Sequence, residues 1–166
     1  MRYTSNVLAV CLILGGLTSR AVNSQAGAGI DKSYMGTWKA NIGKSKYQPG
    51  PPPKQSTRVH DDRGNGFVLV TTDTVNAQGQ KTHGAYVYKA DGKQYPQAGL
   101  NQANVQTIAL TAVDPYTVTF TTYVDGKAVS TGKRTVDKDG KTMIIETKGT
   151  NAQGQPTSSH VIWEKQ

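Results

Sequence analysis

The residues able to do chemistry in this chain are few. Its only histidines are His60, His83 and His160, and no two of them stand at a metal-ligand spacing. The expected reading is three solvated histidines near strand ends. A surface metal site assembled by strand pairing is the alternative. Asp61 and Asp62 are adjacent, and neighbours in an extended chain point to opposite faces. They therefore do not converge for acid–base work. They read better as residues leading into the turn Arg63-Gly64-Asn65-Gly66. There is no Gly-x-Ser-x-Gly elbow, phosphate-cradling glycine loop or His-Glu-x-x-His segment. The expectation is a protein that is not an enzyme and uses no cofactor or metal.

Arg134 carries more information. In the run 128–137, Ala128, Ser130, Gly132, Arg134 and Val136 share one face, and Val129, Thr131, Lys133 and Thr135 share the other. If the small face points inward, Arg134 needs an anionic partner, because an unpaired buried guanidinium is costly. That partner would be a protein carboxylate or the acidic group of a ligand. The expected placement is instead near a rim, with the side chain snorkelling to water. Tyr86 and Tyr88 also share a face. With Tyr116 and Phe120 they are candidates to line a ligand cavity, against the plainer reading of aromatic core.

Short β-like runs separated by regular turn chemistry must position these residues. Asp91-Gly92-Lys93, Asp125-Gly126-Lys127 and Asp139-Gly140-Lys141 are hairpin signals, because Asp-Gly accepts the positive φ values of a type I′ turn. Asp114-Pro115 marks another turn. Asn76-Ala77-Gln78-Gly79-Gln80 recurs as Asn151-Ala152-Gln153-Gly154-Gln155, which predicts two equivalent hairpin loops. Tyr116, Val118, Phe120 and Val124 lie on one face of a run with Thr117, Thr119 and Thr121 on the other, the period of a strand with one buried face. Further strands are expected at 35–42, 55–61, 67–75, 82–89, 105–113, 128–137, 142–148 and 157–165, and no stretch holds a helical period. The fold class is all-β, an antiparallel up-and-down meander. Closing it into a barrel of about 8–10 strands removes its two exposed edges. A sandwich needs a long crossing connection, and the only long one is the proline-rich segment 43–54.

The N-terminus has Arg2 and then an apolar run, Val7 to Leu17, too short to span a bilayer as a helix. With Ser24-Gln25-Ala26 or Ala26-Gly27-Ala28 as a small-x-small site, this is the form of a cleaved secretory signal. Cys11 would leave with it. Val10 stands before Cys11 where a lipoprotein needs a small residue, so no lipid anchor is expected. The expected organisation is a signal peptide at 1–26, a flexible leader at 27–34 and one domain at 35–166, in a periplasmic or secreted protein. Cleavage also removes Arg2 and Arg20, which lowers the 19 basic residues to 17 against 11 acidic ones and the charge from +8 to +6. That spread-out charge fits loose attraction to anionic envelope polymers. It offers no basic cluster for nucleic acid, and no membrane span is expected.

The first strand opens Gly36-Thr37-Trp38-Lys39. This resembles the Gly-x-Trp opening of the calycin superfamily, the lipocalins and fatty-acid-binding proteins, in which the tryptophan closes one end of the barrel. The final run Val161-Ile162-Trp163-Glu164-Lys165 is similar to the closing strand of fatty-acid-binding proteins. The resemblance implies a lipocalin-like barrel with Gly36, Trp38 and Trp163 at its closure, and a basic residue over Trp38, either Lys165 or Arg134. Over about 35–166 the chain also resembles a group of small exported proteins of Gram-negative soil bacteria that begin Gly-Thr-Trp, which brings no activity with it. Two features depart from the fatty-acid-binding pattern. Val161 and Trp163 stand where its carboxylate-holding Arg-x-Tyr pair is found, and prolines replace its helical lid.

Two functions follow as expectations. One is an exported barrel binding a small apolar or amphipathic molecule, with Tyr86, Tyr88, Tyr116, Phe120 and Arg134 as candidate contacts. The other is a cell-envelope structural or protein-interaction module with a filled barrel and a working outer surface.

Overall fold

The computed structural model describes residues 29–99 and 104–166. The expected signal peptide lies outside the described residues. Eleven strands follow one another: β1 (Gly36–Ala40), β2 (Lys46–Gln48), β3 (Gln55–Gly64), β4 (Phe67–Val75), β5 (Lys81–Tyr88), β6 (Asp91–Gly99), β7 (Gln106–Asp114), β8 (Thr117–Val124), β9 (Lys127–Val136), β10 (Thr142–Thr150) and β11 (Pro156–Lys165). Each strand from β3 to β11 is hydrogen-bonded to the next. β1 pairs with both β3 and β11, so ten strands close an antiparallel barrel.

The turn chemistry explains the meander. Asn65-Gly66 and Asp125-Gly126 both have positive φ at their two central residues, the geometry of two-residue type I′ hairpins. The repeated pentapeptide forms the same loop twice. Asn76 and Asn151 donate their backbone N–H to Gln80 and Gln155 at 2.9 and 3.0 Å. Their side-chain oxygens accept from the backbone N–H of the same glutamines at 2.9 Å.

Two strands escape the sequence reading. β6 carries Pro96, which cannot donate to a ladder, and Asp91-Gly92 at its start is a bulge rather than the hairpin tip. The register shifts between Asp91 and Gln94, and Gly92 has φ 79°. β2 lies inside the proline-rich connection. It takes up the edge of β11 beyond the end of β1, pairing Lys46 with His160 and Gln48 with Ser158. Between β1 and β2, a 3₁₀ turn at Ile42–Lys44 interrupts what is otherwise one strand.

Strand alternation sorts the interior into two tiers. Nearer the Trp38 end, Val68, Val70, Tyr86, Tyr88, Ile108, Leu110, Val118, Val136, Met143 and Ile145 form a buried core. Toward the other end, the next inward positions are Thr72, Gly84, Thr122, Ser130, Thr147 and Ser159, which are small and only partly buried. Part of the expected leader is structured. Residues 32–34 form a 3₁₀ turn, Asp31 donates its N–H to Pro115 O at 2.8 Å, and Tyr34 is fully buried.

Candidate binding site in the barrel interior

The closed end is a plug of aromatic and basic groups. Trp38 is fully buried, and its Nε1–H donates to Tyr34 O at 2.9 Å. Lys165 Nζ lies 5.1 Å from the centre of the Trp38 ring and donates to Ser33 O at 2.9 Å. Of the two basic candidates for that position, Lys165 occupies it. Gly36 has φ 109°, and a Cβ there would sit 3.2 Å from Lys165 Cε. The glycine thus supplies both the backbone conformation and the room for the lysine stem.

His60 stacks above Tyr34, with ring centres 6.3 Å apart and planes 7° apart. It is buried, and neither ring nitrogen has a hydrogen-bond partner among the described residues. This corrects the expectation of a solvated strand-end histidine. His60 shares the inward face of β3 with Ser56 and Arg58, while Val59, apolar but outward, is substantially exposed. Burial, and then the positive charges of Arg134, Arg58 and Lys165, hold its pKa well below the usual value, so the ring is neutral. His83 and His160 do lie on the outer surface, 2.8 Å from Asp73 and 3.4 Å from Glu146.

Arg134 is the second correction. Its side chain is 1% exposed and points into the barrel, not to a rim. Gly132, its inward neighbour on β9, allows β8, β9 and β10 to approach closely: a Cβ there would collide with the Phe120 ring and the Glu146 carbonyl. Arg134 Nη2 donates to the Tyr86 hydroxyl at 2.8 Å, Nη1 reaches the Tyr88 hydroxyl at 3.5 Å, and Nε has no partner among the described residues. Burial works against the cation, but the oxygens of Tyr86 and Tyr88 outweigh it and raise its pKa further.

Arg58, which periodicity alone did not single out, joins this group from β3. Its Nε–H donates to Thr72 Oγ1 at 3.0 Å, and its guanidinium lies 5.2 Å from the centre of the Trp163 ring. Burial and the neighbouring Arg134 charge lower its pKa, with Tyr86 opposing them. Burial alone would raise the Tyr86 pKa, but the two guanidiniums and the Arg134 hydrogen bond bring it below its usual value. The ion pairs among the described residues join Lys44–Glu164, Arg63–Asp61, His83–Asp73, Lys133–Glu146 and His160–Glu146, all on the outside. No carboxylate among the described residues pairs with Arg58 or Arg134.

Of the candidate contacts, the fold brings Tyr86, Tyr88 and Arg134 together. Phe120 is half-buried over Gly132 on the same inner wall. Tyr116 does not join them: it sits in the β7–β8 turn at the closed end, where its carbonyl accepts from the Tyr34 hydroxyl at 2.7 Å. Trp163 is buried beneath Arg58.

A separate concavity of about 770 Å³ lies on the outer wall, across β7 to β11 and β2. One row along it is in exact cross-strand register: Thr111, Thr119, Lys133, Glu146, His160 and Lys46.

No family model matches the chain, and no curated protein does. Solved structures do. A redesigned β-barrel aligns with TM-score 0.50 at 15% identity, over 84% of this chain and 96% of that one. Rv2717c from M. tuberculosis aligns with TM-score 0.57 at 13% identity, over 81% and 94%. The amine binding protein of Rhodnius prolixus, in its tryptamine complex, aligns with TM-score 0.45 at 10% identity, over 84% and 67%. At these identities the likeness is one of fold alone, a closed antiparallel β-barrel.

Proposed function

We propose that this chain is an exported barrel that binds a small apolar or amphipathic molecule at its open end. The carrying observation is the change of tier along the inner wall. Large side chains fill the closed half, whereas Thr72, Gly84, Thr122, Ser130, Thr147 and Ser159 face inward and remain partly exposed. Ten strands enclose an interior wide enough for one small ligand, and small side chains at this level support a cup whose floor is Tyr86, Tyr88 and Trp163. Titration with an environment-sensitive apolar dye tests it. Binding is expected in the micromolar range, about −8 kcal/mol, and Thr122→Trp, which fills the cup, is expected to weaken it at least about tenfold. Absence of dye binding to the wild type overturns the reading.

The outer concavity favours a second reading, an interaction surface for an anionic envelope polymer. Lys46, Lys133 and Lys148 line it with one carboxylate, Glu146, already engaged by Lys133 and His160. Charge reversal of Lys46 and Lys148 would abolish salt-sensitive co-sedimentation with such a polymer on this reading, and would leave dye binding unchanged.

A further inference from the structure

We infer that the molecule taken by this barrel carries an oxyanion group, received at the base of the cup by Arg58 and Tyr86 with Arg134 behind them. This rests on the binding reading above and narrows it to a chemical class. The argument is one of uncompensated charge. Two guanidiniums share the interior of one small barrel, and the partners the fold gives them are neutral: Tyr86, Tyr88 and Thr72 hydroxyls and the Trp163 and Tyr88 rings. A buried cation held only by neutral dipoles carries an unreturned desolvation cost, and Arg134 Nε has no acceptor among the described residues. The two charges also disfavour each other.

The hydrogen-bond directions show where an anion fits. The Tyr86 oxygen accepts from Arg134 Nη2, which leaves the hydroxyl proton free to donate. Arg58 spends its Nε–H on Thr72, and its terminal nitrogens have no acceptor among the described residues. Arg58 is also only partly buried, in contrast to Arg134, so it is the guanidinium that faces the cup. A carboxylate or phosphate on an apolar tail would accept from the Arg58 fork and the Tyr86 hydroxyl together, while the tail lies along the small-residue wall. Such charge-assisted, forked contacts are the strong ones.

Displacement of the bound dye by three compounds with the same twelve-carbon tail tests this: dodecanoate, dodecyl phosphate and dodecanol. Both acids are expected to displace the dye at least about tenfold more tightly than the alcohol; whichever acid binds tighter identifies the headgroup as carboxylate or phosphate. Arg58→Met is expected to bring the acid-to-alcohol ratio to about one, and Tyr86→Phe to lower it several-fold, with far-UV circular dichroism checking that each remains β-structured. Dye binding with equal displacement by acids and alcohol, or a ratio untouched in both variants, overturns the inference and leaves the binding reading standing. No dye binding at all overturns both.

Discussion

The ammonium of Lys165, at the end of the last strand, lies over the ring of Trp38 in the first, 5.1 Å from its centre. The two residues are directly paired where β11 meets β1, so this contact forms at the seam where the barrel closes. Its lysine is also tied to the Ser33 carbonyl, which fastens the segment before β1 across the closed end. One interaction thus joins the first and last strands to the segment before them across the closed end of the barrel.

Removing that plug has a definite cost. Trp38→Ala is expected to destabilise the protein by about 3–5 kcal/mol, the range for deleting a large buried aromatic residue. Lys165→Met keeps most of the stem and loses the charge, and is expected to cost about 0.5–2 kcal/mol. Denaturant unfolding of both single variants and the double variant measures the pair. Coupling near zero would mean that the lysine packs on the tryptophan without a cation–π contribution.

Gly132 makes a second, independent test of the wall. Its missing Cβ is where the Phe120 ring and the Glu146 carbonyl approach. Gly132→Ala is therefore expected to destabilise by about 1–3 kcal/mol through overpacking. A paired Phe120→Leu substitution, which shortens the colliding side chain, is expected to recover part of that loss. A Gly132→Ala variant as stable as the wild type would show that β9 is free to shift.

The sequence made the turns and the closed end readable because each depends on local chemistry. Asn65-Gly66 and Asp125-Gly126 need positive φ whatever surrounds them, and Gly36-Thr37-Trp38 marks the plug. It concealed β6 because a proline and a bulge break its pattern, and β2 because three residues beside β11 have no period. The inner polar cluster was harder still. On β3 the apolar Val59 faces out while Ser56, Arg58 and His60 face in, so hydrophobic alternation points to the wrong face. Only pairing with β4, which sets Arg58 opposite Thr72 and His60 opposite Val70, reveals that face as interior. Arg134 was legible as a conditional: an inward guanidinium needs an anion, and the fold shows it inward.

Export has its own test. The secreted form is expected to begin at Gly27 or Gly29, and therefore to lack Cys11. N-terminal sequencing of protein recovered outside the cytoplasm decides it, and a mature chain that begins at Met1 would exclude cleavage.

His60 gives the last prediction, a pH dependence with a definite sign. Its ring is buried with no hydrogen-bond partner among the described residues, and the charges that act on it, on Arg134, Arg58 and Lys165, are all positive. Its folded-state pKa is therefore held well below the ordinary 6.5, so below that value the unfolded chain binds a proton that the folded chain refuses. Stability from this group is complete above about pH 6.5 and falls as the pH drops beneath it, by up to about 1.4 kcal/mol per unit. Asp31, Asp91, Glu146 and Glu164 are all held below their ordinary carboxylate values of 3.8 and 4.5, and so do not titrate in the same window. Urea unfolding at pH 7.5 and 5.5, on a background with the exposed His83 and His160 replaced by glutamine, is expected to show a loss of about 1.4 kcal/mol. His60→Phe retains the stack on Tyr34 and removes the proton site, so that loss should vanish in the variant. An equal pH dependence with and without His60 would mean that the ring accepts its proton in the folded barrel, against three neighbouring cations.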